Sequence, residues 1–313
     1  MKFGVQASQS QIAWPELLEM WLELDRSSRL DSLWLMDHFV TGAGQAFGSE
    51  GPCLEGWTAL AALAQATSRV RLGTIVSGNT YRHPVVLAKQ ATTVDHISDG
   101  RLEFGIGGAW HEYEHQAYGI PFYTTGERLK RLDEAVQLIK TLWTEDSPTL
   151  EGEYYSLDEP PYNPPNVQKP HPPIMIGGGG EKRTLLTAAK YADASNVQGT
   201  PKEVLHKWDV LKGHCDTVGR DFNAIRRTIQ VVLFLTEDPQ FQERVIQGVK
   251  ALGRAGSDED ARRSVLMGSP EQVVEQIKAF EAVGVQEIIL AQFPSVHMKS
   301  LVRFSEEVIP AFQ

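Results

Sequence analysis

Cysteine is nearly absent from this 313-residue chain: Cys53 and Cys215 are the only thiols. Two thiols are too few for a disulfide framework, and they lack the CxxC spacing of a zinc or redox site. A reducing, cytoplasmic setting follows as the simplest expectation. Long apolar runs are missing as well. None approaches the roughly 20 residues that span a bilayer, and MKFGVQASQS lacks the basic and apolar regions of a signal peptide. Basic charge is also in deficit, with 30 Lys and Arg against 40 Asp and Glu, a formal charge of -10. The densest cationic run is Arg262 and Arg263, flanked by opposite charge. A nucleic-acid partner needs a basic stripe to neutralise phosphates, so that class is excluded, and a membrane partner with it. No internal repeat, low-complexity tract or composition shift marks a domain boundary.

What is present is a soluble globular composition, 42% hydrophobic and 22% charged, with a regular alternation. Phe3 to Gln6 reads as a strand, followed by Trp14, Leu17, Leu18, Trp21, Leu22 and Leu24 at helical spacing. The pattern returns with Ser32 to Met36 and Trp57 to Ala66, Val70 to Val76 and Val85 to Ile97, and Leu102 to Ile106 and Arg128 to Trp143. In the second half Ile174 to Ile176 precedes Arg183 to Tyr191, and Ala194 to Val197 precedes Val204 to Val218. Thr228 to Leu235 precedes Phe241 to Leu252, and Gln286 to Leu290 precedes Met298 to Ile309. Eight such pairs are the count of a (β/α)8 barrel in one domain spanning 1 to 313; a doubly wound open sheet is the competing reading.

Three stretches interrupt the rhythm as insertions: Asp37 to Glu55, Gly107 to Glu127 and Thr144 to Pro173. The last holds a hairpin-like segment, Thr149 to Leu157, and a proline-rich surface connection. The segment from Phe241 to Gly268 is the least informative.

In a barrel the chemistry sits just beyond the C-terminal ends of the strands. After the second strand come Asp37 and His38, a carboxylate and a proton-exchanging imidazole; a capped turn is the plain alternative. After the third come Ser77, Gly78, Asn79 and Thr80, small enough to let a planar ligand near the backbone, or ordinary loop chemistry. After the fourth, Gly107 and Gly108 admit a flat ring, but the GxGG run lacks the third glycine of a dinucleotide fingerprint. His111 to His115 matches H-E-x-x-H, the two-histidine helix face of a zinc protease. It follows two glycines in what reads as a loop, with no third ligand behind it, so a solvated rim is expected and no metal. After the fifth strand Gly177, Gly178, Gly179 and Gly180 lead through Glu181, Lys182 and Arg183 into a helix. Backbone N–H groups at a helix start, uncluttered by side chains, form an anion site, so this segment is expected to bind phosphate.

The runs WLMDHF (34 to 39), EGWTALAALAQATSRVRLGTIVSGNTYRHPVVLAKQ (55 to 90), DHISDGRLEFGIGGAWHEYEHQAYGIPF (95 to 122) and PPIMIGGGGEKRTLLTAAKYADASNV (172 to 197) resemble the luciferase-like monooxygenase superfamily. Within it they are most similar to the branch dependent on the deazaflavin coenzyme F420. The resemblance implies a TIM barrel with insertions at its C-terminal face, a flavin-type ring across the strand ends, and hydride transfer between that ring and a small organic substrate. On this resemblance Asp37 contacts the cofactor and His38 is the acid or base. Ile75 and Val76 match the place of a non-prolyl cis peptide that backs the ring, with Ser77, Gly78 and Asn79 beside it. Gly107 and Gly108 match ring-contacting backbone, and Gly178, Gly179, Glu181 and Lys182 match the phosphate cradle. The sugar-phosphate dehydrogenases of this branch carry a catalytic glutamate where this chain has Trp110, so a sugar phosphate is a poor substrate expectation. Trp110 becomes a wall of the substrate pocket, with His111 and Glu112 as polar candidates.

The alternative keeps the fold and uses FMN, as an FMNH2-dependent monooxygenase; a flavin-binding protein without catalysis is a third reading. F420 carries an anionic oligoglutamate, which favours a basic path from the cradle, with Lys169, Lys182, Arg183 and Arg226 as candidates. Homodimer formation is expected. Trp14, Trp21, Trp57 and Leu60 are candidate interface residues, though most fit a buried core better.

Overall fold

The computed structural model describes residues 1–41, 51–251, 256–291 and 297–313. Eight parallel strands close a barrel: β1 (Lys2–Gln6), β2 (Ser32–Leu35), β3 (Arg71–Thr74), β4 (Leu102–Gly107), β5 (Ile174–Gly177), β6 (Ala194–Val197), β7 (Arg226–Leu235) and β8 (Glu287–Ala291). Each pairs with the next in sequence, and β1 closes on β8 with Lys2 opposite Glu287 and Val5 opposite Leu290. The open-sheet alternative is thereby overturned. All eight runs legible in the sequence are strands of this barrel.

The strands alternate as barrel strands must. On β7, Ile229, Val231 and Leu233 pack outward with the helices, so Thr228 and Gln230 face the interior. Trp34 of β2 fills the barrel's middle beside Met175, Ala194 and Ile289. A Cβ at Gly4 would run into Ser32 Oγ, and one at Gly73 into the Glu103 carbonyl, each also coming within 2.9 Å of this indole. The N-terminal end of the barrel is closed by ions. Arg226 bridges Glu103 (2.6 Å) and Glu287 (3.0 Å), Arg71 meets Glu103 at 2.5 Å, and Ser32 Oγ donates to Glu287. These pairs lie at the face opposite the chemistry, where barrel residues serve stability.

The outer layer includes helices Trp14–Ser27, Gly56–Ala66, Pro84–Ile97, Thr125–Thr144, Thr184–Tyr191, Pro201–Val218, Pro270–Ala282 and Met298–Glu307. Their starts are encoded locally. Glu55 caps Gly56–Ala66 by accepting from the N–H groups of Trp57 and Thr58. Thr200 with Glu203, and Ser269 with Gln272, form capping boxes ahead of Pro201–Val218 and Pro270–Ala282, each with proline at the first turn. Trp21, Trp57 and Leu60 are buried in the core, so they are not interface material, while Trp14 is half-buried.

Three features depart from the sequence expectation. The third strand ends at Thr74, short of the expected Val76, and after the cis peptide between Ile75 and Val76, which stands where the resemblance places it, a two-residue strand, Ser77–Gly78, pairs with β4. The segment after β7 builds the expected helix, Pro239–Ala251, then a second one, Asp258–Arg263, and a further parallel strand, Val265–Gly268. That strand pairs with the far half of β7, outside the barrel, and packs Val265 and Met267 against Ile246 and Ala261. Finally, Glu112–Tyr118 is a helix, not a loop. Thr149–Glu151 and Ser156–Asp158 do form the antiparallel hairpin expected there. Residues 42–50 of the first insertion, and Leu252, lie outside the described residues.

Candidate active site

Asp37 leaves β2 buried, with both carboxylate oxygens on the Arg82 guanidinium at 2.6 and 3.0 Å. It also accepts from the Gly78 N–H at 3.2 Å, and Arg82 reaches Glu55 at 2.8 Å. Burial pushes the Asp37 carboxyl up to about 6 against the pull of Arg82, which leaves it ionised at neutral pH. Asp37 therefore acts as a clamp between the loops after β2 and β3, its oxygens already engaged by the protein.

His38 is the next residue, and its ring is one-fifth exposed. Nδ1 lies 2.6 Å from Oε1 of Glu114, a carboxylate fully buried beneath it. The same oxygen accepts a hydrogen bond from the Tyr81 hydroxyl, and Oε2 accepts from the Phe39 N–H at 3.0 Å. Burial alone would raise the Glu114 carboxyl, but the bonds from His38, Tyr81 and Phe39 hold it below the usual carboxylate range. Cys53 donates to the His38 carbonyl; burial and the Glu114 charge push its thiol up to about 12, so it stays protonated and unreactive.

Glu114 was not among the residues singled out from the sequence. Within His111 to His115 attention falls on Glu112, yet that side chain is exposed and pairs with Gln116 on its own helix. Helical spacing carries the missing signal: His111, Glu114 and His115 share one buried face, and Glu112 points away. His111 caps this helix by accepting from the Glu114 N–H. His115 is committed at both nitrogens, to Thr80 (2.7 Å) and to the His111 carbonyl (2.7 Å), which leaves it no lone pair for zinc. Trp110 is largely exposed and sets its ring edge-on to His38, with centroids 5.3 Å apart.

The barrel mouth beside His38 has two unlike halves. On β4 and β5 the inward positions are Gly105, Gly107 and Gly177, and the half-buried Val76 lies over them. A Cβ at Gly107 or Gly177 would stand 2.7 to 2.9 Å from the Val76 methyls. These glycines therefore make room for Val76, and together they form a flat apolar floor. Gly108 instead abuts Leu129. Ser77 and Asn79 are buried in the wall. Ser77 Oγ accepts from the Trp57 indole at 2.9 Å, and the Asn79 N–H donates to the Gly107 carbonyl at 3.1 Å. On the other half Gln198 donates to Gln230 (2.6 Å) and Gln230 to Gln6 (2.7 Å), a row of amides across the ends of β6, β7 and β1. Sequence reasoning passed over this row because glutamines far apart in the chain carry no local motif.

Gly178 to Arg183 form an open loop beyond β5. Gly178 has φ +124°, a conformation that favours glycine, and no side chain caps the helix Thr184–Tyr191 among the described residues. The N–H groups of Gly179 to Thr184 have no acceptor among the described residues, and Lys182 in the same stretch is exposed. Glu181 is held away by Lys207 (2.5 Å) and His206 (3.2 Å), and the Lys207 stem runs 3.5 Å from where a Gly179 Cβ would be. Of the other cations expected here, Arg226 lies at the barrel's opposite end and Lys169 precedes β5. Arg183 lines a groove of about 330 Å³ with Lys130, Lys190, Asp133, Glu134, Glu151 and Glu153, where acids outnumber the bases.

A family model described as luciferase-like monooxygenase matches residues 1–252. The chain belongs to the luciferase-like monooxygenase family. Within it, the chain is 29% identical to the F420-dependent glucose-6-phosphate dehydrogenase of Kineococcus radiotolerans, over 99% of this chain and 96% of that protein. It is 25% identical to the FMNH(2)-dependent dimethylsulfone monooxygenase of Pseudomonas putida, over 80% and 76%. An F420-dependent secondary alcohol dehydrogenase, solved with an F420-acetone adduct, superposes with a TM-score of 0.85 at 19% identity, over 100% and 99% of the two chains. That likeness speaks for the luciferase-like barrel itself.

Proposed function

We propose that this protein is an F420-dependent oxidoreductase, one barrel domain over residues 1 to 313, acting on a small organic molecule. The observation that carries the reading is His38, whose partly exposed ring stands beside a flat floor of Val76, Gly107 and Gly177, with an uncapped helix start further along the same barrel face. The full-length likeness to F420-dependent dehydrogenases supports the choice of cofactor.

The residues present fit such a group. A planar ring needs a surface without protruding side chains, and the Val76 floor is one. A phosphate needs uncommitted N–H donors, and the loop from Gly179 to Arg183 ahead of Thr184 offers them, while the Gly178 N–H is already held by the Asn196 carbonyl at 2.9 Å. Bound there, the deazaflavin supplies a ring carbon that accepts or donates a hydride. Val76, Gly107 and Gly177 orient the ring, and the helix start with Lys182 holds the phosphate. Trp110 screens the reacting face from water, and His38 takes or returns the substrate proton. The amide row of Gln6, Gln230 and Gln198 would receive the substrate. Amides donate and accept without charge, so the row suits a hydroxyl or carbonyl compound better than a phosphate ester. Asp37 supports the floor by accepting from the Gly78 N–H. The same reading makes the enzyme a cytoplasmic homodimer.

The FMN reading shares the cradle and is favoured by the dimethylsulfone monooxygenase likeness. Oxygen uptake separates the two. Protein supplied with F420H2 should consume no oxygen beyond the cofactor blank, and FMNH2 should give no protein-dependent product. Substrate oxygenation with FMNH2 would replace the proposal by the monooxygenase.

A further inference from the structure

Glu114 is an acid with no exposed surface, and burying a carboxylate costs several kcal/mol unless donors replace its water. Three do, on two oxygens: His38 Nδ1 and the Tyr81 hydroxyl on Oε1, and the Phe39 N–H on Oε2. These donors come from the loops after β2 and β3, while Glu114 comes from the helix after β4. That helix is in turn tied to the β3 loop through His115 and Thr80. The arrangement is thus built from three separate segments around one imidazole.

An ionised carboxylate can only accept. With Nδ1 2.6 Å from Oε1, the proton of a neutral His38 ring must sit on Nδ1, and the lone pair must sit on Nε2. Nε2 has no hydrogen-bond partner among the described residues, and 21% of the His38 side chain is exposed. The other charges nearby are engaged elsewhere: Asp37 and Glu55 share Arg82.

We propose that Glu114 is the positioning residue of His38: its carboxylate fixes the Nδ1–H tautomer and leaves Nε2 as the proton-accepting atom at the barrel mouth. Tyr81 holds the same oxygen and keeps the carboxylate aligned. The sugar-phosphate dehydrogenase branch has its glutamate where this chain has Trp110, and here a carboxylate reaches the site from four residues further on. The inference rests on the proposed oxidoreductase only for the use made of Nε2; the tautomer is a property of the protein alone.

The test is two-bond 1H–15N correlation spectroscopy of the imidazoles in the ligand-free protein, at a pH where the His38 ring is neutral, with His38 assigned by the signal lost in His38→Gln. The wild type should show the Nδ1–H pattern. An Nε2–H pattern there overturns the inference, whatever the variants do. Glu114→Gln keeps the side-chain volume, but a single amide oxygen cannot accept from both the Phe39 N–H and His38 Nδ1. With oxygen toward Phe39 the amide nitrogen donates to Nδ1, and the tautomer should invert to Nε2–H. An unchanged pattern in that variant refutes control by the carboxylate. Tyr81→Phe removes the neighbouring donor to Oε1, a hydroxyl that also lies 3.4 Å from Nδ1, and should keep Nδ1–H; inversion there would assign the control to Tyr81. A parallel F420 titration should give a dissociation constant within about twofold of wild type in Glu114→Gln. Failure of F420 to bind any of the three proteins counts against the proposed function and leaves the tautomer result standing.

Discussion

Replacing Gly177 by alanine puts a methyl group where Val76 already stands. The new Cβ would lie 2.8 and 2.9 Å from the two Val76 methyls and 3.4 Å from its Cβ, with no other heavy atom that close. Contacts under 3 Å force a shift, and overpacking of this kind costs about 1 to 3 kcal/mol. For a chain this long, at roughly 2 °C per kcal/mol, the melting temperature should fall by about 2 to 6 °C. Val76→Ala alone removes two half-buried methyls and should cost about 1 kcal/mol. In the double variant the nearest remaining contact is the 3.4 Å pair, ordinary van der Waals distance. The double variant should therefore melt no lower than Val76→Ala, giving a favourable coupling of about 1 to 3 kcal/mol. Thermal melts of the four proteins close the cycle. The same series reports on function: Gly177→Ala pushes Val76 toward the mouth and should weaken F420 binding, and the double variant should recover it. Additivity within about 0.5 kcal/mol would show that Gly177 is not there for Val76, and the account of the floor would fall.

His38→Ala should lower turnover about 10²- to 10⁴-fold while the F420 dissociation constant changes less than about threefold; equal losses in both would remove His38 from proton transfer. Gly178→Ala forces a side chain into φ +124° at a cost of about 1 to 3 kcal/mol, and should weaken both F420 and FMN. Unchanged affinity in titrations would move the phosphate away from this loop. Asp37 has a raised folded value of about 6 against 3.8, so the folded chain holds more protons between those limits and its contribution to stability falls as pH rises from about 4 to 6. The loss is roughly 3 kcal/mol at most. Asp37→Asn should flatten that stretch of the melting-temperature profile, and an unchanged slope would show that Asp37 does not titrate there.

The barrel was legible in the sequence because each strand is a short apolar run followed by a helix-period segment. The third strand was read through to Val76 since Ile75 and Val76 are β-prone, and only the backbone reveals the break after Thr74. Val265–Gly268 escaped notice because four residues between a charged helix and Ser269-Pro270 carry too little pattern to stand out. At the site, the candidates legible in the sequence are those next to strand ends: His38, Val76, Gly107 and the glycine loop. What each does was less legible. Gly107 and Gly177 also make room for the Val76 methyls, and Asp37 also carries Arg82 on both oxygens, packing that no local motif announces. Glu114 and the Gln6–Gln230–Gln198 row were missed for one reason: their partners lie 32 to 224 residues away, and pairing at that range is a product of barrel closure.

The central claim is the cofactor, and titrating the ligand-free protein in parallel with F420 and with FMN, by fluorescence, tests it directly. The account predicts saturable binding of F420 at least tenfold tighter than FMN, lost in parallel for both in Gly178→Ala. Tight FMN binding with weak F420 binding would contradict it and make the protein a flavin-dependent monooxygenase.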